Sequence, residues 1–165
     1  MGLKQSFKRA VEYFERAAAQ GYPLGQTQLG LLYQRGQGVK INFKTAAQLF
    51  RRAADQGHRE AQFHLGALFQ KGKGVSQSIE EAVEWWRLAA AQGVKEAPFN
   101  LAACHAHGHG VLRDFDEALR LYECAAAEGC AEAAPPALRL AALCAEAPAA
   151  DGLASLAGRP EAASG

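Results

Sequence analysis

Leu29-Gly30-Leu31-Leu32-Tyr33-Gln34-Arg35-Gly36-Gln37-Gly38-Val39 decides the fold, because its skeleton returns twice at a fixed step. Leu65-Gly66, Phe69 and Gly72-Lys73-Gly74-Val75 stand 36 residues on, and Leu101-Ala102, His105 and Gly108-His109-Gly110-Val111 stand 36 further. Working outward, Ala10, Ala46, Ala82 and Ala118 keep this step, and so do Gly21, Gly57, Gly93 and Gly129. An alanine pair precedes each of those glycines: Ala17-Ala18, Ala53-Ala54, Ala89-Ala90 and Ala125-Ala126. So many residue classes in phase mark an internal repeat.

Within one repeat the periodicity is helical. Phe43, Ala46-Ala47, Leu49-Phe50 and Ala53-Ala54 form an apolar stripe at i, i+3, i+4, i+7 spacing. Ser6, Asn42, Ser78 and Asp114 mark the helix start, since such side chains accept from the first free backbone N–H groups. Ser78 with Glu81, and Asp114 with Glu117, match or approximate a capping box. The glycine at 21, 57, 93 and 129 suits a left-handed C-terminal cap. The first half of each repeat predicts another helix, over Pro23–Arg35, Arg59–Lys71 and Lys95–His107, ended by the G-x-G-V reversal. Pro23 sits near the first helical position, where its missing N–H costs nothing.

Each repeat is thus a helix hairpin that buries its stripe only by stacking on its neighbours. The expected fold is all-α: an α-solenoid of stacked antiparallel helix hairpins with a 36-residue repeat. It occupies residues 1–147, with a half repeat over 4–21, full repeats over about 22–57, 58–93 and 94–129, and a partial repeat over 134–147. In the last, Ala137–Cys144 matches Pro98–His105 at an offset of 39, so Ala134-Pro135-Pro136 reads as an insertion. Residues 148–165, rich in Ala, Gly, Pro and Ser, read as a flexible tail with at most a short turn near Leu153–Leu156.

Composition narrows the function. Hydrophobic residues make up 49% and charged residues 21%, as in a globular chain. Lys plus Arg (18) nearly equals Asp plus Glu (17), which argues against nucleic acid as a partner. No apolar run approaches the ~18 residues of a membrane helix, so stable membrane insertion is not expected. Residues 1–14 mix charged and apolar side chains and lack the apolar core of a secretory signal. Cys104, Cys124, Cys130 and Cys144 form no C-x-x-C pair, and the expectation is reduced thiols in a cytoplasmic protein.

The run Leu29–Val39, followed by Ala46, Leu49, Ala53-Ala54 and Gly57, resembles the Sel-one-like repeat family, a relative of the tetratricopeptide repeats. The resemblance covers about residues 5–145. Ala102 departs from it by replacing the helix glycine, and His105 by replacing an aromatic residue. It implies an α-solenoid that binds other proteins, often as an adaptor or scaffold; no nucleophile–base constellation stands in the sequence, so neither catalysis nor a cofactor is expected. Some relatives carry a disulfide within each repeat; the four cysteines here do not follow the 36-residue step, and that feature is not carried over.

Packing like that of the tetratricopeptide repeats would turn the variable positions of the first helices toward a groove. Thr27, Phe63 and Phe99 form one row, and Gln28, His64 and Asn100 the next. Arg35, Lys71 and His107 lie near the G-x-G turns. Aromatic anchors among cationic and amide donors suit a protein or peptide partner, extended or helical, with some acidic character. The alternative is a His/Cys metal-binding or enzymatic module around His105, His107, His109 and Cys104. Against it, His105 replaces the packing residues Tyr33 and Phe69, and the other two replace exposed residues, so no metal is assigned.

Three further patterns take simpler readings. G-x-G-V follows a helix and lacks an attached G-K-[ST], so it reads as a turn and not as a phosphate loop. Met1-Gly2-Leu3-Lys4-Gln5-Ser6 fits an acylation pattern at Gly2, but Ser6 falls in the capping series. Trp85 and Trp86 align with core positions of the other repeats. A third functional reading is a self-associating fragment of a longer array. The segment Ser6–Gln20 carries Phe7, Val11 and Phe14 with no first helix ahead of it. That end favours self-association through residues 3–20 or an upstream segment that covers them.

Overall fold

The capping residues act as the spacing requires. In a computed structural model, which describes residues 2–146, the side chain of Asn42 accepts from the Thr45 N–H at 3.0 Å. Ser78 accepts from Glu81 at 3.2 Å and Asp114 from Glu117 at 2.9 Å. The reciprocal half of the capping box does not form. The N–H groups of Asn42, Ser78 and Asp114 donate instead to the carbonyls of Tyr33, Phe69 and His105, at 3.0, 3.1 and 3.0 Å. That bond ties the start of each second helix to the end of the first, and it closes the hairpin.

The described residues form eight α-helices, one 3-10 turn and no strand. These are α1 (Gly2–Ala19), α2 (Pro23–Arg35), α3 (Phe43–Asp55), α4 (Arg59–Lys71), α5 (Ile79–Ala91), α6 (Ala97–His107), α7 (Phe115–Ala127) and α8 (Ala134–Glu146). The 3-10 turn, Ala131–Ala133, leads into α8. Helices α2–α3, α4–α5 and α6–α7 are the hairpins, and each second helix also packs on the first helix of the next repeat. The tail expected at 148–165 lies outside the described residues.

Two boundaries differ from expectation. Ser6 lies inside α1 and caps nothing, because residues 2–5 hold no paired-glycine turn to stop the helix there. Helix α6 begins at Ala97 and not at Lys95; the Ala97 N–H closes a turn on the Val94 carbonyl at 3.1 Å. Pro135 and Pro136 fall in the first turn of α8, where they remove no helical hydrogen bond.

Two glycines show why the turns require that residue. Gly93, after α5, has φ +80° and nothing near its absent Cβ, so only backbone strain selects glycine there. Gly74 has φ +74°, and an added Cβ would overlap the Phe43 carbonyl at the start of α3. This is where one repeat's turn seats on the preceding repeat.

The core runs between the helices. Phe50 and Trp86 are fully buried, as are Ala46, Ala53, Ala82 and Ala89. The alanines let the helices approach closely, and the aromatic rings fill what remains. A Cβ on Gly66 would lie 2.6 Å from the Trp86 indole nitrogen, so glycine makes the slot for the ring. The indole N–H donates to the Phe63 carbonyl at 3.2 Å. One element escaped the sequence reading. Gln26 and Gln62 are buried (4% exposed each) and accept from Gln56 at 3.0 Å and Gln92 at 2.8 Å. Buried amides need such partners.

Candidate interaction surface

The first helices α2, α4 and α6 carry the three candidate rows, and each row has its own character. In the first, Thr27 is 1% exposed. Its hydroxyl donates to the Pro23 carbonyl at 2.8 Å and lies 3.0 Å from His58 Nδ1. Thr27 therefore belongs to the interior, and its expected place on a binding surface is corrected. A small β-branched side chain can fold back onto its own helix; a phenylalanine cannot. Its counterparts Phe63 and Phe99 are half-buried. Phe63 meets His64 edge-on at 5.6 Å, and Phe99 meets Tyr122 in the same way at 5.6 Å.

In the second row Gln28, His64 and Asn100 are half-buried. The His64 ring stacks on Phe50 at 5.3 Å with 23° between planes. Burial, and then the charge of Arg35, holds the His64 pKa below its ordinary 6.5. The row therefore presents a neutral imidazole between two amides at neutral pH.

In the third row Arg35, Lys71 and His107 are exposed, each in the last turn of its helix. The cations Arg35 and Lys71 are favoured there by the helix dipole, which gives them a structural role independent of any ligand. His107 Nδ1 hydrogen-bonds the Ala103 carbonyl at 2.8 Å, and its ring stacks on His109 at 5.5 Å.

The histidine cluster does not assemble into a site. His105 is half-buried, with its Nδ1 buried and unpartnered, away from the exposed His107–His109 stack. Among the described residues no three His, Cys, Asp or Glu side chains converge to hold a metal. Cys104 is buried, which pushes its thiol pKa up, and Cys124 and Cys130 are free. Among the described residues no helix is long and apolar enough to cross a membrane.

Helix α1 corrects one expectation. Val11 is buried, and Phe7 and Phe14 pack with it against Leu29, Leu32 and Leu49. Phe7 and Val11 thus serve the interior, while Lys8, Arg9, Glu12, Tyr13 and Arg16 face out.

Two further features were missed in the sequence. The Arg51 guanidinium lies 5.3 Å from the Phe69 ring and 5.8 Å from Trp85, and the Lys73 ammonium 4.8 Å from Phe43. These contacts do not recur in every repeat, so periodicity carries no signal for them. The second is charge segregation. Residues 1–75 hold twelve Lys and Arg against four Asp and Glu, whereas residues 76–146 hold five against eleven. A balanced total hid a chain that is basic at one end and acidic at the other.

The Sel1 repeat family model matches residues 1–22, 23–58, 59–94 and 95–130. Comparison with the curated proteins gave no match. A solved Sel1 repeat protein from Oxalobacter formigenes is 34% identical, with a TM-score of 0.75 over 81% of this chain and 53% of that one. The protein c5321, a protective antigen present in uropathogenic Escherichia coli strains displaying an SLR fold, is also 34% identical. Its TM-score is 0.69, over 72% of this chain and 26% of its own. This chain therefore spans about half of the first and a quarter of the second. Helicobacter pylori cysteine rich protein B shares the fold, with a TM-score of 0.63 at 21% identity, over 81% of this chain and 96% of that one. Sel1 repeat proteins are generally protein-interaction scaffolds and typically non-enzymatic. With its 36-residue hairpins, its capped second helices and four matched repeats, the chain belongs to the Sel1 repeat family.

Proposed function

We propose that this chain is a non-catalytic adaptor that holds an acidic segment of a partner protein along the first helices α2, α4 and α6. The observation that carries the reading is the conjunction of half-buried Phe63 and Phe99 with exposed Arg35 and Lys71 on that one set of helices. Aromatic edges supply apolar anchoring, and the cations supply the preference for acid. Gln28, His64 and Asn100 add neutral hydrogen-bonding groups between them. His107 extends the polar row toward the third repeat, and Thr27 contributes only to the interior. The basic excess of residues 1–75, which hold Arg35 and Lys71, supports an acid preference on α2 and α4. Free thiols at Cys104, Cys124 and Cys130 fit a reducing compartment such as the cytoplasm.

A displayed random-peptide library tests the reading. Selected peptides should be enriched in Asp and Glu around spaced apolar residues, and they should lose binding to the Arg35→Glu/Lys71→Glu double variant. Selection of basic or purely apolar peptides would reject it.

A further inference from the structure

The first and last described helices, α1 and α8, are complementary halves of one hairpin. Helix α1 has the pattern of a second helix, yet no first helix covers it among the described residues. Its Phe14 corresponds to Phe50, Trp86 and Tyr122, which are 0, 0 and 6% exposed, but Phe14 is only half-buried. Tyr13 is 68% exposed, whereas its counterpart Leu49 is 8% exposed. Helix α8 has the opposite deficit: it is a first helix with no second helix among the described residues. Leu143 corresponds to Leu32, Leu68 and Cys104, which are buried; Leu143 is 61% exposed. Leu138, on the same helix, is 73% exposed.

We propose that the chain associates head to tail with a second copy of itself, α1 of one copy docking on α8 of the next as the missing second helix. The contact continues the hairpin interface that the chain already makes three times, in α2–α3, α4–α5 and α6–α7. Charge supports the same polarity. The basic region, residues 1–75, approaches the acidic region, residues 76–146, whereas joining like ends would set like charges together. Near the junction α1 exposes Lys8, Arg9 and Arg16 beside Glu12 and Glu15, while α7 exposes Asp116 and Glu123 beside Arg120, the turns after it expose Glu128 and Glu132, and α8 exposes Arg139. Such an interface is heterologous, so one copy can meet a second through α1 and a third through α8, and growth by addition is not limited to pairs. The inference is independent of the groove reading.

The test is light scattering of the full 165-residue chain with two single-end variants. The parent mass should rise with concentration and fall with added salt, as screening shortens the attraction. Tyr13→Glu blocks the head and Leu143→Glu blocks the tail; both positions are exposed, and each variant should associate at least about tenfold more weakly while keeping the parent's helix content. Mixing them should form a one-to-one dimer and nothing larger, because each variant retains the end that the other has lost. If Leu143→Glu loses helix content, Leu138→Glu replaces it. A monomeric parent, unaffected variants, association strengthened by salt or a mixture that stays monomeric would each overturn the proposal. A monomeric parent would leave the α1 and α8 faces to other segments of a longer array.

Discussion

The second hairpin, α4–α5, and the third, α6–α7, share a backbone plan but fill it differently. In the second, Gly66 opens a slot for Trp86, and the buried Gln62 pairs with Gln92. In the third, Ala102 and Tyr122 hold the corresponding positions in one cluster, and Pro98 and Glu128 replace the amide pair. Trp86 needs the bare glycine and Tyr122 shares its cluster with the methyl group of Ala102, but Phe50 in the first hairpin again sits on a glycine, Gly30, whose added Cβ would lie 2.7 Å from the ring. The repeat therefore keeps a small residue against a ring at each crossing without fixing which small residue or which ring. The third hairpin, with Tyr122 6% exposed where Trp86 is fully buried, should be the looser of the two.

That contrast can be broken most forcefully at the rings. Trp86→Ala should cost about 3–5 kcal/mol in chemical unfolding, because it leaves a large cavity and a lost indole bond. Tyr122→Ala should cost less. Equal losses would show that the two crossings are packed alike. Next come the turn glycines. Gly74→Ala should cost about 2–3 kcal/mol, combining positive φ with overlap of the Phe43 carbonyl. Gly93→Val, which has open space but φ +80°, should cost about 1–2 kcal/mol. An unchanged melting temperature for Gly93→Val would remove the left-handed cap from the account.

Smaller effects sharpen the comparison. Gly66→Ala gains about 1 kcal/mol of helix propensity but drives a Cβ into Trp86, for a net loss of about 1–2 kcal/mol. Net stabilisation would mean that the slot has room to spare. The smallest effect is at His64. Its folded pKa lies below 6.5, so the unfolded chain takes up the proton first as pH falls. The stability contributed by the neutral ring is complete above 6.5 and is lost as pH drops through 6.5 toward the folded value. His64→Gln should flatten the pH dependence of melting in that window; an unaltered slope would contradict the assignment.

How far the sequence carried each part follows from periodicity. The hairpins, caps and glycine stops were legible because they recur with the 36-residue step. Ser6 misled because it holds the capping register without the turn that makes a cap. The interior role of Thr27 was hidden because its counterparts are phenylalanines. Phe7 and Val11 were read as facing an open side, since a stripe does not say which neighbour covers it. The Gln26–Gln56 and Gln62–Gln92 pairs were illegible because an amide at a helix position reads as surface until its partner, 30 residues away, is located.

The central claim is that α2, α4 and α6 present an acid-preferring protein-binding surface. The direct measurement is the affinity of a library-selected acidic peptide for the parent and for Arg35→Glu/Lys71→Glu, with melting followed in parallel. The account predicts a Kd raised at least about tenfold with little change in melting temperature, since both side chains are exposed. Unchanged affinity, or a loss of binding that only tracks a loss of folding, would contradict it and leave these cations as partners of the helix dipoles alone.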